Sequence, residues 1–103
     1  QGAEALVQRP AQPGVAGALP SDVISDLMET RSGDLWLATQ GGGIARVDET
    51  GTAPRFDALG KADGLSANAI GSLIEDIDGR IWVASIVGID ELDPRTRKVR
   101  NLL

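Results

Sequence analysis

The stretch "LMETRSGDLWLAT", Leu27 to Thr39, is answered later in the same chain by "LIEDIDGRIWVAS", Leu73 to Ser85. Each reads as an apolar strand, a polar turn with a glycine, and a second strand centred on tryptophan. The spacing is constant. Trp82 less Trp36 is 46, and the same difference relates Leu19 to Leu65, Ile24 to Ile70, Leu27 to Leu73, Glu29 to Glu75, Gly33 to Gly79, and Ala38 to Ala84. Met28 and Ile74, Leu35 and Ile81, Leu37 and Val83, and Thr39 and Ser85 are like-for-like changes. A fixed period over such a length marks a repeat architecture. Beyond the tryptophans the register slips by one residue, so that Gly43, Ile44, Val47 and Asp48 answer to Gly88, Ile89, Leu92 and Asp93.

Working outward, each copy carries four short apolar runs separated by turn chemistry such as "RSGD", "GGG", "ETGTAP", "KADG", "IDGR" and "DPRTRK". The strands predicted are about 23–29, 35–39, 44–48 and 55–58 in the first copy, and about 69–75, 81–85, 89–93 and 99–102 in the second. Connections of this shortness join sequential strands as an antiparallel meander. In the second strand both faces are apolar, with Leu35 and Leu37 on one side and Trp36 and Ala38 on the other, so both must be covered. The third and fourth strands are mixed, which puts the first strands near an axis and the last on a rim. The fold class expected is therefore all-β: two four-stranded antiparallel blades of a β-propeller, a partial ring completed by other blades or by association. A closed eight-stranded sandwich suits the length but gives no reason for the repeat.

The expected division is an N-terminal segment over 1–18, blade one over 19–64 and blade two over 65–103. Within the first segment Ala5 to Arg9 could add as an extra outermost strand, while Pro10 and Pro13 bar a regular element after it. Two blades have four faces and cover two of them against each other. One face of 35–39 and one of 81–85 are thus expected to look at water as an apolar patch, which further blades or self-association would cover.

Composition narrows the function. The 103 residues are 42% hydrophobic and 24% charged, as in an ordinary small domain. A net charge of −5 with no basic run argues against nucleic acid and anionic membranes, both of which require clustered cations. No cysteine is present, which removes disulfides, thiolate metal sites and a thiol nucleophile; no histidine is present, which removes the usual general base. No apolar run approaches the ~18 residues of a membrane span, and the N-terminus lacks the basic-then-apolar layout of a signal peptide. The reading is of a soluble segment without membrane contact, metal or cofactor.

"LPSDVISDLMETRSGDLWLATQGGGIARVDETG" and "GLSANAIGSLIEDIDGRIWVASIVGIDELDP" together resemble the two-component-regulator propeller repeat. That pattern runs Gly-Leu-Pro-Ser-Asn, a short strand, a Glu-Asp pair, a Gly turn, Leu-Trp-x-Gly-Thr, and a Gly-rich turn before an Arg-Tyr-Asp-like strand. Ala18 stands for its first Gly, Ser66 for its Pro, Ala38 and Ala84 for the Gly after Trp-x, and "SIVGIDEL" lacks the double glycine. The resemblance implies a periplasmic or extracytoplasmic sensor module of many blades. It further implies a link to an output, such as a histidine kinase or diguanylate cyclase, outside these residues.

The candidate site residues divide by chemistry. Trp36 and Trp82 could stack on a sugar, but a mid-strand position among aliphatic neighbours makes both of them structural core, equally costly to truncate. Glu29 and Glu75 could pair as glycosidase acids, yet their place beside the hairpin suits acceptance of turn N–H groups better. "EDIDG" at 75–79 fails as a calcium loop because Ile74 and Ser85 fall where ligands are needed; Asp78-Gly79 and Ser32-Gly33 read as turns with positive φ at glycine. "GGG" at 41–43 is a turn, since no helix or Lys follows at phosphate-loop spacing. No catalytic constellation emerges. A small-molecule or oligosaccharide ligand would meet the loops between blades and between second and third strands, which nominates Gln40, Lys61, Asp63, Ser66 and Asn68. The alternatives are a blade pair of a propeller lyase or glycosidase, or a purely structural interaction fragment.

Overall fold

The computed structural model describes residues 18–103. Eight strands form two separate four-stranded antiparallel sheets, each in sequential order. The first holds β1 (Ile24–Glu29), β2 (Leu35–Thr39), β3 (Ile44–Asp48) and β4 (Arg55–Leu59); the second holds β5 (Ser72–Glu75), β6 (Ile81–Ala84), β7 (Ile89–Asp93) and β8 (Lys98–Asn101). A single 3-10 turn, Lys61–Asp63, interrupts the connection between sheets. The strand proposed over Ala5 to Arg9 lies outside the described residues.

The hairpins repeat as the sequence does. Thr30 N–H reaches the Asp34 carbonyl at 2.8 Å and Asp76 N–H the Arg80 carbonyl at 2.8 Å, with Gly33 and Gly79 at φ 94° and 83°. Those left-handed positions are the reason for glycine in both turns. The glycines matched after the slip have another reason. A Cβ on Gly43 would stand 2.1 Å from the Leu59 carbonyl oxygen, and one on Gly88 1.9 Å from that of Leu103. In each sheet the turn between second and third strands must press against the backbone that ends the fourth.

Register defines the faces. Asp26–Ala38–Ile44–Leu59 and Met28–Trp36–Arg46–Asp57 run across the first sheet as rows, and Leu73–Val83–Asp90–Asn101 and Glu75–Ile81–Leu92–Val99 across the second. These two faces meet. Trp36, Ala38, Ile44 and Leu59 form one buried cluster with Leu73, Ile81, Val83 and Leu92, joined by Leu65 and Ile70 from the connection. β1 and β5 lie side by side, as expected if first strands are innermost. A bulge between Ile24 and Asp26 breaks the β1 register; there the Ser25 hydroxyl donates across to the Ile70 carbonyl.

β5 starts at Ser72 rather than near 69. Ile70 N–H donates to the Thr39 carbonyl of the first sheet at 2.8 Å, and Gly71 N–H to the Ala84 carbonyl at 2.8 Å. That backbone is divided between the two sheets before it commits to its own.

The outward faces correct the expectation of symmetrical exposure. On the first sheet Leu37 is 0% exposed, and it forms a second cluster with Ala45, Phe56 and Leu19, against which Ile24, Leu35 and Val47 pack. Leu19, the start of the repeat, closes over the face that was expected to look at water. The second sheet does expose its outward face, with Ile74 65% accessible.

Gly43→Ala tests the turn geometry. Its Cβ meets backbone as well as an unfavourable φ, whereas at Gly33 nothing lies within 4 Å. Gly33→Ala should cost about 1 kcal/mol, the left-handed penalty alone; Gly43→Ala should cost clearly more, read by urea denaturation of both variants.

Candidate functional site

Gln40–Gly43, between β2 and β3, and residues 60–68, between the sheets, come together at one end of the molecule: Gly43 N–H donates to the Asn68 carbonyl at 2.8 Å. Of the five nominated residues, three are engaged in holding this loop. The Asp63 carboxylate accepts Gly60 N–H at 2.9 Å, and the Asn68 side-chain oxygen accepts Lys61 N–H at 2.8 Å. Ser66 donates through both N–H and Oγ to the Asp90 carboxylate, at 2.8 and 2.6 Å. Gln40 and Lys61 stand exposed beside them.

Asp90 is the polar centre that sequence reasoning missed. It is 1% exposed, and besides Ser66 it accepts the Asn101 amide at 2.6 Å, while that amide also reaches the Gly64 carbonyl at 3.0 Å. A buried carboxylate is tolerated only with its oxygens so occupied. The equivalents in the first sheet are Ala45 and Ala58, which need no such partner. Ser66 replaces the repeat's usual proline because a proline has no N–H to give Asp90; the coincidence of Ser66, Asp90 and Asn101 was the available signal.

At the opposite end the hairpins interlock. Glu75 accepts Arg31 N–H at 2.9 Å and lies 3.5 Å from its guanidinium, which also donates to the Asp76 carbonyl. Glu75 therefore accepts a turn N–H, but from the neighbouring sheet's hairpin rather than its own. Leu73 N–H donates to Asp26 at 2.8 Å, and Arg97 pairs with Asp57 across the same gap. Between the sheets here is an open cleft of about 720 Å³.

The two tryptophans occupy one register position and opposite environments. Trp36 is 2% exposed, packed between the sheets; Trp82 is 38% exposed on the outward row Ile74–Trp82–Glu91–Arg100. In this pair of blades only Trp36 is packed as core, and Trp82 stands where a further blade would meet it. Each tryptophan faces the same way out of its sheet, and only Trp36 has a sheet there to meet. The Trp82 indole instead donates to Asp76 at 3.0 Å, and this bond, with turn N–H groups behind it, holds the Asp76 carboxyl below the usual carboxylate range.

Residues 18–41 and 64–86 match the model of the two component regulator propeller family. Among solved structures, an extracellular domain of BT4673 from B. thetaiotaomicron, assigned to a one component system, is 32% identical over 80% of this chain with a TM-score of 0.70. A second structure of an extracellular domain of BT4673, assigned there to a hybrid two component system, is 29% identical over 91% with a TM-score of 0.73. This chain spans only 12% and 14% of theirs. No curated protein matches. The two sheets are blades of a β-propeller, and further blades are needed to complete it.

Truncation separates the tryptophans. Trp36→Ala should cost about 3 to 5 kcal/mol and Trp82→Ala far less, measured by denaturation of each. The Asp76 bond gives a pH signature with a definite sign. A carboxyl lowered in the folded state contributes stability above its unfolded value and loses it as pH falls through the folded one. The Trp82 indole N–H resonance should accordingly titrate below about pH 3.9, while that of Trp36 does not follow it.

Proposed function

We propose that this chain, whose two blades are repeats of the two-component regulator propeller, is part of an extracytoplasmic ligand-sensing propeller that passes its signal to an output domain outside these residues. The observation that carries this reading is the likeness to BT4673 extracellular domains across most of the chain. The role is sensing rather than turnover, in keeping with a chain that has neither histidine nor cysteine.

The proposed ligand surface is the end formed by Gln40–Gly43 and residues 60–68. Asp63, Ser66 and Asn68 fix the loop shape there, and Gln40 and Lys61 present an amide and an ammonium to solvent. A rigid loop with a few polar groups outward suits recognition of sugar hydroxyls. Calorimetric titration with a panel of neutral and acidic oligosaccharides tests this. A binder should lose at least tenfold in affinity on joint Gln40→Ala and Lys61→Ala substitution; undiminished binding removes the surface from consideration, and release of product would assign an enzyme instead.

The outward face of blade two is the proposed contact for the next blade. In the isolated chain Ile74 and Trp82 leave it apolar at the centre, so sedimentation equilibrium should show concentration-dependent association. Joint Ile74→Asp and Trp82→Asp substitution should return the chain to monomer.

A further inference from the structure

The inter-blade cleft lies at the start of β2, whereas Gln40 follows its end, so it is distant from the loop surface discussed above. Trp36 lines it, and the Trp36 Nε1–H is buried without an acceptor. A buried donor left unpaired is costly and uncommon in folded proteins. The repeat shows what the position lacks. In blade two Asp76 uses Oδ1 to accept Asp78 N–H and Arg80 N–H, at 2.9 and 3.0 Å, and Oδ2 to accept the Trp82 indole. In blade one the residue 46 earlier is Thr30. Its Oγ1 accepts Asp34 N–H at 3.1 Å, as Asp76 Oδ1 accepts Arg80 N–H, and lies 2.9 Å from Ser32 Oγ. Threonine has no second oxygen to meet the indole.

The lining is balanced in charge, with Asp34 held only by the Ser32 hydroxyl among the described residues and one arginine left over beside Trp36. Four arginines, Arg46, Arg80, Arg95 and Arg97, line the cleft with four aspartates. Asp57 pairs with Arg97, Asp78 with Arg80 and Asp93 with Arg95. Arg46, directly across the strand from Trp36, is exposed, and its charge acts on Asp48 without a close ion pair among the described residues. We propose that this cleft binds a ligand carboxylate, one oxygen accepting the Trp36 Nε1–H where Asp76 Oδ2 stands in blade two, and the charge balanced by the Arg46 guanidinium. Nε1 is covered, so the group reaches it only with movement of the side chains around Trp36. The volume suits a sugar-sized molecule, and the chemical class is an acidic sugar bearing a carboxylate. Its recognition does not depend on the Gln40 and Lys61 surface.

The test uses the 15N-labelled 103-residue chain, whose two indole N–H signals are told apart by Trp36→Phe. D-galacturonate should move the Trp36 signal downfield and leave that of Trp82 in place, while D-galactose moves neither. Acetate separates the sources: a matching shift means that the carboxylate suffices, and a much weaker one means that the sugar ring contributes. Thr30→Asp supplies the missing oxygen from within. Its Trp36 signal should lie downfield before any addition, its unfolding midpoint should rise, and its galacturonate affinity should fall at least tenfold. The variant also serves if Trp36→Phe does not fold. A Trp36 signal unmoved by galacturonate and acetate through millimolar concentrations, an equal response to galactose, or undiminished galacturonate binding by Thr30→Asp would overturn the proposal.

Discussion

Everything in this molecule follows from a strand that has to be buried on both sides. β2 is apolar on both faces, and neither face can be satisfied within its own sheet. A tryptophan side chain alone hides 150 to 250 Å² when buried, on the order of 4 kcal/mol of transfer free energy at about 25 cal/mol per Å². Covering Trp36 thus fixes the second sheet face to face on the first, with Ile81, Val83 and Leu92 as its partners. Leu19 then covers the other side. The hydrogen bonds between sheets set position more than they supply energy, since Arg31, Arg97 and Asp57 are substantially exposed and screened.

The polar links show how one blade becomes the template for the next. Asp26, Thr39 and Gly43 in the first sheet contact Leu73, Ile70 and Asn68 at the entry to the second. Along the chain, the residues after β4 bond to the first sheet at Asn68 and Ile70 before the sequence reaches β5. This explains the short β5, and it explains why the connecting loop is braced by Asp63, Asn68 and Asp90 rather than left slack.

Much of this was legible in the sequence. The period of 46 and the paired glycines Gly33 and Gly79 identified two equivalent meanders, because turn φ and strand alternation are local properties. What escaped was anything set by a neighbour. Trp36 and Trp82 are identical in local context, and burial separates them only because one faces a sheet and the other does not. Asp90 drew no attention in a strand of mixed polarity; its burial depends on Ser66 and Asn101, remote in sequence. The role of Asp63, Ser66 and Asn68 as loop braces was hidden because a loop's polar side chains look alike whether they bond to neighbouring backbone or face only solvent.

The two presenting rows, Met28–Trp36–Arg46–Asp57 and Ile74–Trp82–Glu91–Arg100, agree at their apolar ends and reverse sign at their charged ends. Blade one offers Asp57 to the Arg97 of its neighbour; blade two offers Arg100 in that place, already tied to Glu91 at 3.0 Å. Near-copies that share an apolar seam would otherwise stack in any sequence, one substituting for another. A second copy of blade two placed upon blade two would set Arg97 against Arg100, like charge to like. The charged rim therefore acts as an address: it lets the apolar seam be generic while disfavouring blade two stacked on its own copy.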